Sequence, residues 1–312
     1  MARRKSSKKV SLGSLILVVL AVIGYGLFSG KIDLNEWFSQ KPEGSNSIVS
    51  GALNEDADVS VHFIDVGQGD SALIKAYGKT VLIDAGEAET EQTDVVDYLT
   101  ALDIEKIDYL IGTHPHSDHI GGLQAVVENF EIGTVIMPKI PDEIVPTTAT
   151  YRNLLKAIKN KDLKIKTSQK CDEIVLAEDA VLTFLGPTKD YEDLNSMSIC
   201  LKFSAMGYSA LFCGDAEKDA EKDMLALGTD LSCNILKLSH HGSSTSNTQK
   251  FLEAADPDCF VICVGEDNRY NHPTASVMKR VNAFERPIYR TDKDGSIVFE
   301  FEDEQIKSIT ER

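Results

Sequence analysis

Three of the chain's seven histidines fall within six consecutive positions, in "THPHSDHIGG" at residues 113–122. In this H-x-H-x-D-H pattern His114 and His116 stand two apart on a loop leaving a strand, so their imidazoles can hold one cation. Asp118 and His119 point the other way and can hold a second. Imidazole and carboxylate donors at this density suit divalent metal ions. A lone H-x-H would say little, whereas the full pattern followed by Gly121 and Gly122 is specific.

Other candidate residues lie far along the chain. Asp215 closes "SALFCGD" and, read alone, is the N-cap of the helix "AEKDAEKDM". His240 and His241 follow "NILKLS". His272, in "YNHPT", stands before Pro273 where a helix opens; it reads as a phosphate contact or proton donor, or as an ordinary loop histidine. His62 sits inside an early strand and reads as structural. In "VGQGDS" (66–71) Gly67 and Gly69 permit tight turns, while Asp70 and Ser71 either organise the floor of a site or cap the turn.

The elements that must position these residues are legible as short apolar runs. From Val59, "VSVHFIDV", "SALIKAY" and "KTVLIDAG" read as strands separated by glycine-containing turns. The helix "TDVVDYLTAL" and the buried strand "IDYLIGTH" follow, the latter ending at the histidine cluster. "HIGGLQAVVENF" carries Leu123, Val126, Val127 and Phe130 at helical spacing. Strand and helix runs then alternate as far as "PIYRTDKDGSIVFEFE", which reads as a closing hairpin turned at Asp294–Gly295. This order predicts layers of sheet covered by helices. The candidate ligands recur at strand C-termini, where α/β folds gather their sites.

Composition bounds the partners. The chain has 312 residues, 42% hydrophobic and 26% charged, which is ample for a buried core, so disorder is not the default. The formal net charge of −17 does not attract nucleic acid or membranes by bulk electrostatics. A nucleic-acid substrate therefore needs a local positive centre, such as a metal. The six cysteines contain no C-x-x-C, and five lie in apolar, strand-like runs. They read as buried, unpaired thiols, with one disulfide as the alternative if the domain is extracellular.

The N-terminus sets a placement. Residues 1–9 are basic, and no charge occurs from Val10 to Gly30, a stretch long enough as a helix to cross a hydrocarbon core of roughly 30 Å. Positive charge before it stays cytoplasmic, so a single-pass membrane anchor at 10–30 would leave the remainder extracellular. A cleaved signal with secretion is the rival. Residues 31–57 read as a linker and 58–312 as the globular domain.

The wider pattern resembles the metallo-β-lactamase fold, and within it the extracellular hydrolase-like domain of ComEC-type competence (DNA-uptake) proteins. The motifs that carry this are "HFIDVGQGDSALI" (62–74), "VLIDAG" (81–86), "THPHSDHIGG" (113–122), "LNSMSICLKF" (194–203), "LFCGDAE" (211–217), "KLSHHGSSTSN" (237–247) and "NRYNHPT" (268–274). "VGQGDS" and "SHHGS" pick out this branch. The resemblance implies an α/β metallo-β-lactamase-like αββα sandwich, preceded by one N-terminal transmembrane helix, holding one or two Zn2+ ions. It makes Asp215 the metal-bridging aspartate. It makes one of His240 and His241 the ligand completing the second site, with the other free to meet substrate phosphate. Asp84 would accept an imidazole N–H behind the ligands. The sequence departs from the superfamily where a third histidine for the first metal is usual: none occurs between His119 and His240. Asn195 or Ser196 of "LNSMSIC" would face that metal instead, making the site weaker or suited to Mn2+. The ComEC-type branch shares this loss, which argues against lactam and thioester hydrolysis.

The function implied is metal-assisted hydrolysis of a phosphodiester, with a nuclease acting on DNA as the substrate class. Asp118, His241 and His272 are the expected catalytic residues, and water made acidic by the metal is the nucleophile. A hydrolase of cell-surface phosphoesters (phosphorylcholine or a teichoic-acid linkage) and a non-catalytic, metal-stabilised binding module are the alternatives.

Overall fold

The computed structural model describes residues 57–88 and 95–312. The basic segment, the expected anchor at 10–30 and the linker up to residue 56 lie outside the described residues. Among the described residues no helix is long and apolar enough to cross a membrane.

Fifteen strands and eight α-helices follow the chain among the described residues. The first half holds β1 (Val59–Phe63), β2 (Ala72–Ala76), β3 (Lys79–Ile83), α1 (Val95–Ala101), β4 (Lys106–Ile111), α2 (Ser117–Ile120), α3 (Leu123–Asn129), β5 (Glu131–Ile136), α4 (Ala149–Asn160) and β6 (Ile165–Lys166). The second holds β7 (Glu173–Ala177), β8 (Ala180–Gly186), β9 (Cys200–Ala205), β10 (Tyr208–Phe212), α5 (Lys218–Ala226), β11 (Ile235–Lys237), α6 (Gln249–Ala255), β12 (Cys259–Ile262), α7 (Ala275–Asn282) and β13 (Ile288–Arg290). A short α8 (Thr291–Asp294), β14 (Ile297–Phe301) and β15 (Ile306–Thr310) close the chain.

The two halves build two sheets by the same plan. The first sheet has the order β15-β14-β1-β2-β3-β4-β5-β6, and the second β13-β12-β11-β10-β9-β8-β7. In each, an antiparallel meander (β1–β3, β7–β10) passes into parallel strands (β3–β6, β10–β13) joined by helical crossovers. Side chains alternate across a strand, and here each face meets a different layer. Val59, Val61, Phe63, Ile74, Val81 and Ile83 point inward against Leu182, Phe184, Leu201, Phe203, Ala210 and Phe212. Phe63 stacks on Phe212 across that gap at 5.6 Å between ring centroids. The opposite faces carry Leu73, Leu82 and Leu110 under α1, α3 and α4, and Leu211, Leu236 and Phe260 under α5, α6 and α7. Three apolar layers between four layers of structure make the expected αββα sandwich.

The closing hairpin is a correction. β13 pairs with β12 in the second sheet, whereas β14 pairs with β1 in the first. Asp294–Gly295 ends α8 and turns the chain from one sheet to the other. Turn chemistry and alternation are the same for a hairpin and for a sheet-changing corner, and only the partners available to each strand tell them apart.

The cysteine reading holds: all six are free, and five are buried. His62 is buried between Ser60 Oγ (2.9 Å) and Tyr98 Oη (2.9 Å), a structural role.

Candidate metal centre

The parallel strands of both sheets deliver their C-termini to one cleft of about 670 Å³. Asp84 follows β3, His114–His119 follow β4, Asp215 follows β10, and His240 and His241 follow β11.

Two donor groups form there. In the first, His114 Nε2 and His116 Nδ1 are 3.0 Å apart, and His114 Nε2 is 3.8 Å from Asp215 Oδ2. In the second, His119 Nε2 is 3.0 Å from Asp215 Oδ1, and His241 Nε2 is 3.3 Å from Asp118 Oδ2 and 3.8 Å from Asp215 Oδ1. Within each group all ligand atoms lie within 4.8 Å of one another. Asp215 belongs to both and turns one oxygen to each. It is not a helix N-cap, because Glu217 holds that position before α5.

His240 joins neither group. Its Nε2 lies 3.6 Å from Asp215 Oδ2, and its Nδ1 leans on Thr245 Oγ1 at 3.2 Å. His240 and His241 both adopt left-handed backbone, with φ of 52°. That conformation costs of order 1–3 kcal/mol for a non-glycine residue. Asn247 holds the turn by accepting from Ser239 N (3.0 Å) and donating to Ser239 O (2.9 Å). From this turn the two imidazoles face different oxygens of Asp215, His240 toward Oδ2 and His241 toward Oδ1.

The loop carrying the cluster is clamped from below. Asp84, fully buried, accepts from Thr113 N (2.7 Å) and Thr113 Oγ1 (2.6 Å) and lies 2.8 Å from His119 Nδ1. This is the expected support behind a ligand: an imidazole that gives its Nδ1–H to a carboxylate presents Nε2 to the metal. The "VGQGDS" loop lies flat against the cluster, with Asp70 N donating to Asp118 O (3.0 Å) and Gly86 N donating to Asp70 O (2.9 Å). Gly69 is required there, since a Cβ would sit 2.3 Å from Asp118 O.

The first group has three donors and no third histidine. Asn195 lines the cleft, donates to Glu217 Oε1 at 3.2 Å, and leaves its own Oδ1 buried without a partner. Ser196 is not among the cleft-lining residues; its backbone N is held by Asp193 Oδ1 at 2.7 Å. Ser198, two residues on, has the supporting role instead, with its Oγ accepting from Asp215 N at 3.0 Å. His272 lines the cleft beside the two late histidines, its ring centroid 5.6 Å from His240 and 6.4 Å from His241. Burial, with His240 and His241 nearby, lowers its pKa to about 4, so it is neutral at neutral pH.

Electrostatics asks for cations. Asp70, Asp84, Asp118 and Asp215 converge here, and among the described residues Lys237 is the one fixed positive charge in contact with them, bonded to Asp70. Burial opposes ionisation of Asp215, but His119, His241 and His114 outweigh it and hold the carboxyl well below its ordinary range. Burial also opposes charge on His241, yet Asp215, Asp70 and Asp118 win and push it up to about 9. His119 is raised in the same way by Asp215, Asp84 and Asp70. His119 Nε2, His241 Nε2 and Asp215 Oδ1 are buried and face one another, yet none makes a hydrogen bond. Each such orphan costs about 1–3 kcal/mol. A divalent ion satisfies all three and takes over the charge balance from protons. Imidazole and carboxylate donors without thiolate fit zinc, manganese or iron.

Several contributors are absent from the sequence reading. Thr113, Ser198 and Asn247 carried no separate signal. Lys237 did, as a lone charge inside the apolar strand "NILKLS".

A family model described as the metallo-beta-lactamase superfamily matches residues 64–266. ComE operon protein 3 of Bacillus subtilis (strain 168) is 27% identical over 259 residues, covering 77% of this chain and 33% of that protein. Competence protein ComA of Neisseria gonorrhoeae is 30% identical over 289 residues, covering 91% of this chain and 38% of that protein. The chain thus spans well under half the length of these curated relatives. Among solved structures, CmlA, described as a diiron β-hydroxylase from Streptomyces venezuelae, superposes with a TM-score of 0.55 at 14% identity, covering 78% of this chain and 54% of that chain. That likeness is one of fold.

Proposed function

Because the chain belongs to the metallo-β-lactamase superfamily, we propose that it is a metal-dependent phosphodiesterase acting on DNA from the outer side of a cell membrane. The observation that carries this reading is Asp215, with its two oxygens turned to two donor groups at the floor of an open cleft. Paired sites of this kind suit in-line displacement at phosphorus. The name of one relative, competence protein ComA, together with the resemblance to DNA-uptake proteins, favours DNA. A membrane anchor at 10–30, as read from the sequence, would supply the outward placement, and a cleaved signal with secretion is its rival.

His114, His116 and Asp215 would hold one ion, and Asp118, His119, Asp215 and His241 the other. Bound divalent ions supply an acidified water and positive charge against the phosphoryl oxygens. Asp118, with 23% of its side chain exposed, opens to the cleft; burial opposes its ionisation, but His241 and His119 outweigh it and keep the carboxyl ionised, so it would hold the ion rather than take a proton. His272, neutral, donates a hydrogen bond to a phosphoryl oxygen rather than acting as a cation. His240, 21% exposed and facing Asp215 Oδ2, is a second contact for the same group. The metal is zinc or manganese in this reading; the diiron description of CmlA adds iron to the set to be assayed.

A second reading, hydrolysis of a phosphorylcholine ester, has one observation behind it. Tyr270, 47% exposed, and Glu87 both line the cleft, and an aromatic ring with a carboxylate suits a quaternary ammonium. However, the Arg269 guanidinium already lies 4.9 Å from the Tyr270 centroid. That guanidinium takes the ring face a quaternary ammonium would need and repels it, so the DNA reading ranks first.

The test is turnover by the purified full chain, loaded in turn with Zn2+, Mn2+ and Fe2+. Single-stranded DNA, bis-p-nitrophenyl phosphate and p-nitrophenyl phosphorylcholine are the substrates. Cleavage of the first two is expected. Metal bound at both groups with no turnover of any ester refutes the hydrolase and leaves the binding module.

A further inference from the structure

Lys237 ends β11 with only 3% of its surface exposed, and its ammonium bonds the carboxylate of Asp70, itself 6% exposed. A buried lysine is rare without a partner. Asp70 has further neighbours. Its Oδ2 is 3.8 Å from His119 Nδ1, and its Oδ1 is 3.2 Å from His241 Nδ1. Both imidazoles turn their other nitrogen to Asp215 Oδ1. Asp70 therefore stands behind two of the four donors of the second group. The hydrogen bonds at these two nitrogens go to Asp84 at His119 (2.8 Å) and to the Cys263 carbonyl at His241 (2.9 Å), while Asp70 Oδ1 is buried without one, so Asp70 acts on both imidazoles through its charge.

The pair also joins the two sheets. Asp70 lies just before β2 in the first, and Lys237 lies in β11 of the second. "VGQGDS" and "KLSHHGS", far apart in sequence, meet at this contact and at the approach of His241 Nδ1 to Asp70 Oδ1. Asp70, Asp84 and His119 Nδ1 are compact enough on their own to gather a cation, and the ammonium of Lys237 fills that role.

We propose that the Lys237–Asp70 ion pair is a positioning device for the four-donor group: the ammonium anchors one carboxylate oxygen, the other stays behind His241, and both imidazoles are held with Nε2 toward the metal. The inference rests on the reading that this group binds a metal ion. Lys237 is a positioning residue, since it touches no ligand atom of the ion.

Full-length chains carrying Lys237→Met, Asp70→Asn and both substitutions separate this from a purely structural role. Lys237→Met alone strands a buried carboxylate and lowers the unfolding temperature of the metal-free chain. The double variant has no stranded charge and regains it. Binding is read with Zn2+ by competition against a chromophoric chelator, and with Co2+ by its visible absorption, which reports ligand geometry. The double variant is expected to bind the ion of the four-donor group about 10–100-fold more weakly than wild type, the usual range for a group behind a ligand, with an altered Co2+ spectrum. Wild-type affinity and spectrum in the double variant overturn the proposal, making the pair scaffold alone. If Lys237→Met does not fold, the double variant still gives the readout. If the wild-type chain binds no ion, the metal reading fails, whatever the variants do.

Discussion

Asp215 Oδ1 lies 3.0 Å from His119 Nε2, yet neither atom makes a hydrogen bond. The two are close without being aligned for a proton, as two ligands of one ion would be. The other oxygen of Asp215 faces His114 Nε2. Asp215→Ala should therefore empty both donor groups. Metal analysis should fall from two ions per chain to fewer than one, and hydrolysis should drop by well over 100-fold, more than is lost when only a supporting group is disturbed.

Single-ligand variants should separate the groups. His116→Ala removes one of three donors from the first group and leaves the second intact. It should lower the ion count from two to one. His241→Ala should weaken the ion of the second group and spare the first. Equal loss of both ions in each variant, by titration calorimetry, would show one cooperative centre instead.

Chelation should destabilise the fold. An ion that binds only the folded chain contributes about 2.7 kcal/mol when its free concentration is 100 times its Kd. Differential scanning calorimetry with and without a strong chelator should show the unfolding temperature falling, and adding back Zn2+ or Mn2+ should restore it.

Gly122 is held by close approach. A Cβ there would lie 2.3 Å from the backbone oxygen of Ala85, which cannot swing aside. Gly122→Ala should cost about 1–3 kcal/mol, as overpacking does. It should also weaken metal binding, because Ala85 N is bonded to His119 O at 2.8 Å. Loss of stability with unchanged metal affinity would show that the strain relaxes away from the cluster.

His62 predicts acid sensitivity. Burial, with Lys75 contributing, lowers its pKa from 6.5 to about 3. The unfolded chain therefore takes up this proton first as pH falls. Stability is full above about 6.5, is lost at about 1.4 kcal/mol per pH unit as pH falls toward 3, and changes no further below that. His62→Gln, which keeps hydrogen-bonding capacity toward Ser60 and Tyr98, should flatten urea-unfolding stability across this window. An unchanged slope would assign the acid response to other groups.

The sequence by itself determined the local grammar of this protein: short, apolar-rich strands, helices with one apolar face, and H-x-H-x-D-H on a strand-end loop. The periods of a helix and a strand are written in neighbouring residues, and ligand spacing within one loop needs no distant partner. Motif resemblance extended this to the αββα layers and to Asp84, Asp215 and the late histidines. Tertiary structure decided what local pattern leaves open. It put β13 and β14 in different sheets, where spacing read a hairpin. It turned His241 rather than His240 into the four-donor group, a choice made by left-handed backbone and the packing of Asn247. It also buried Lys237 against Asp70. For the strands and for Lys237 the deciding contact joins segments that meet only when the two sheets pack; for His241 it is a turn held between Ser239 and Asn247, set by backbone conformation rather than by spacing.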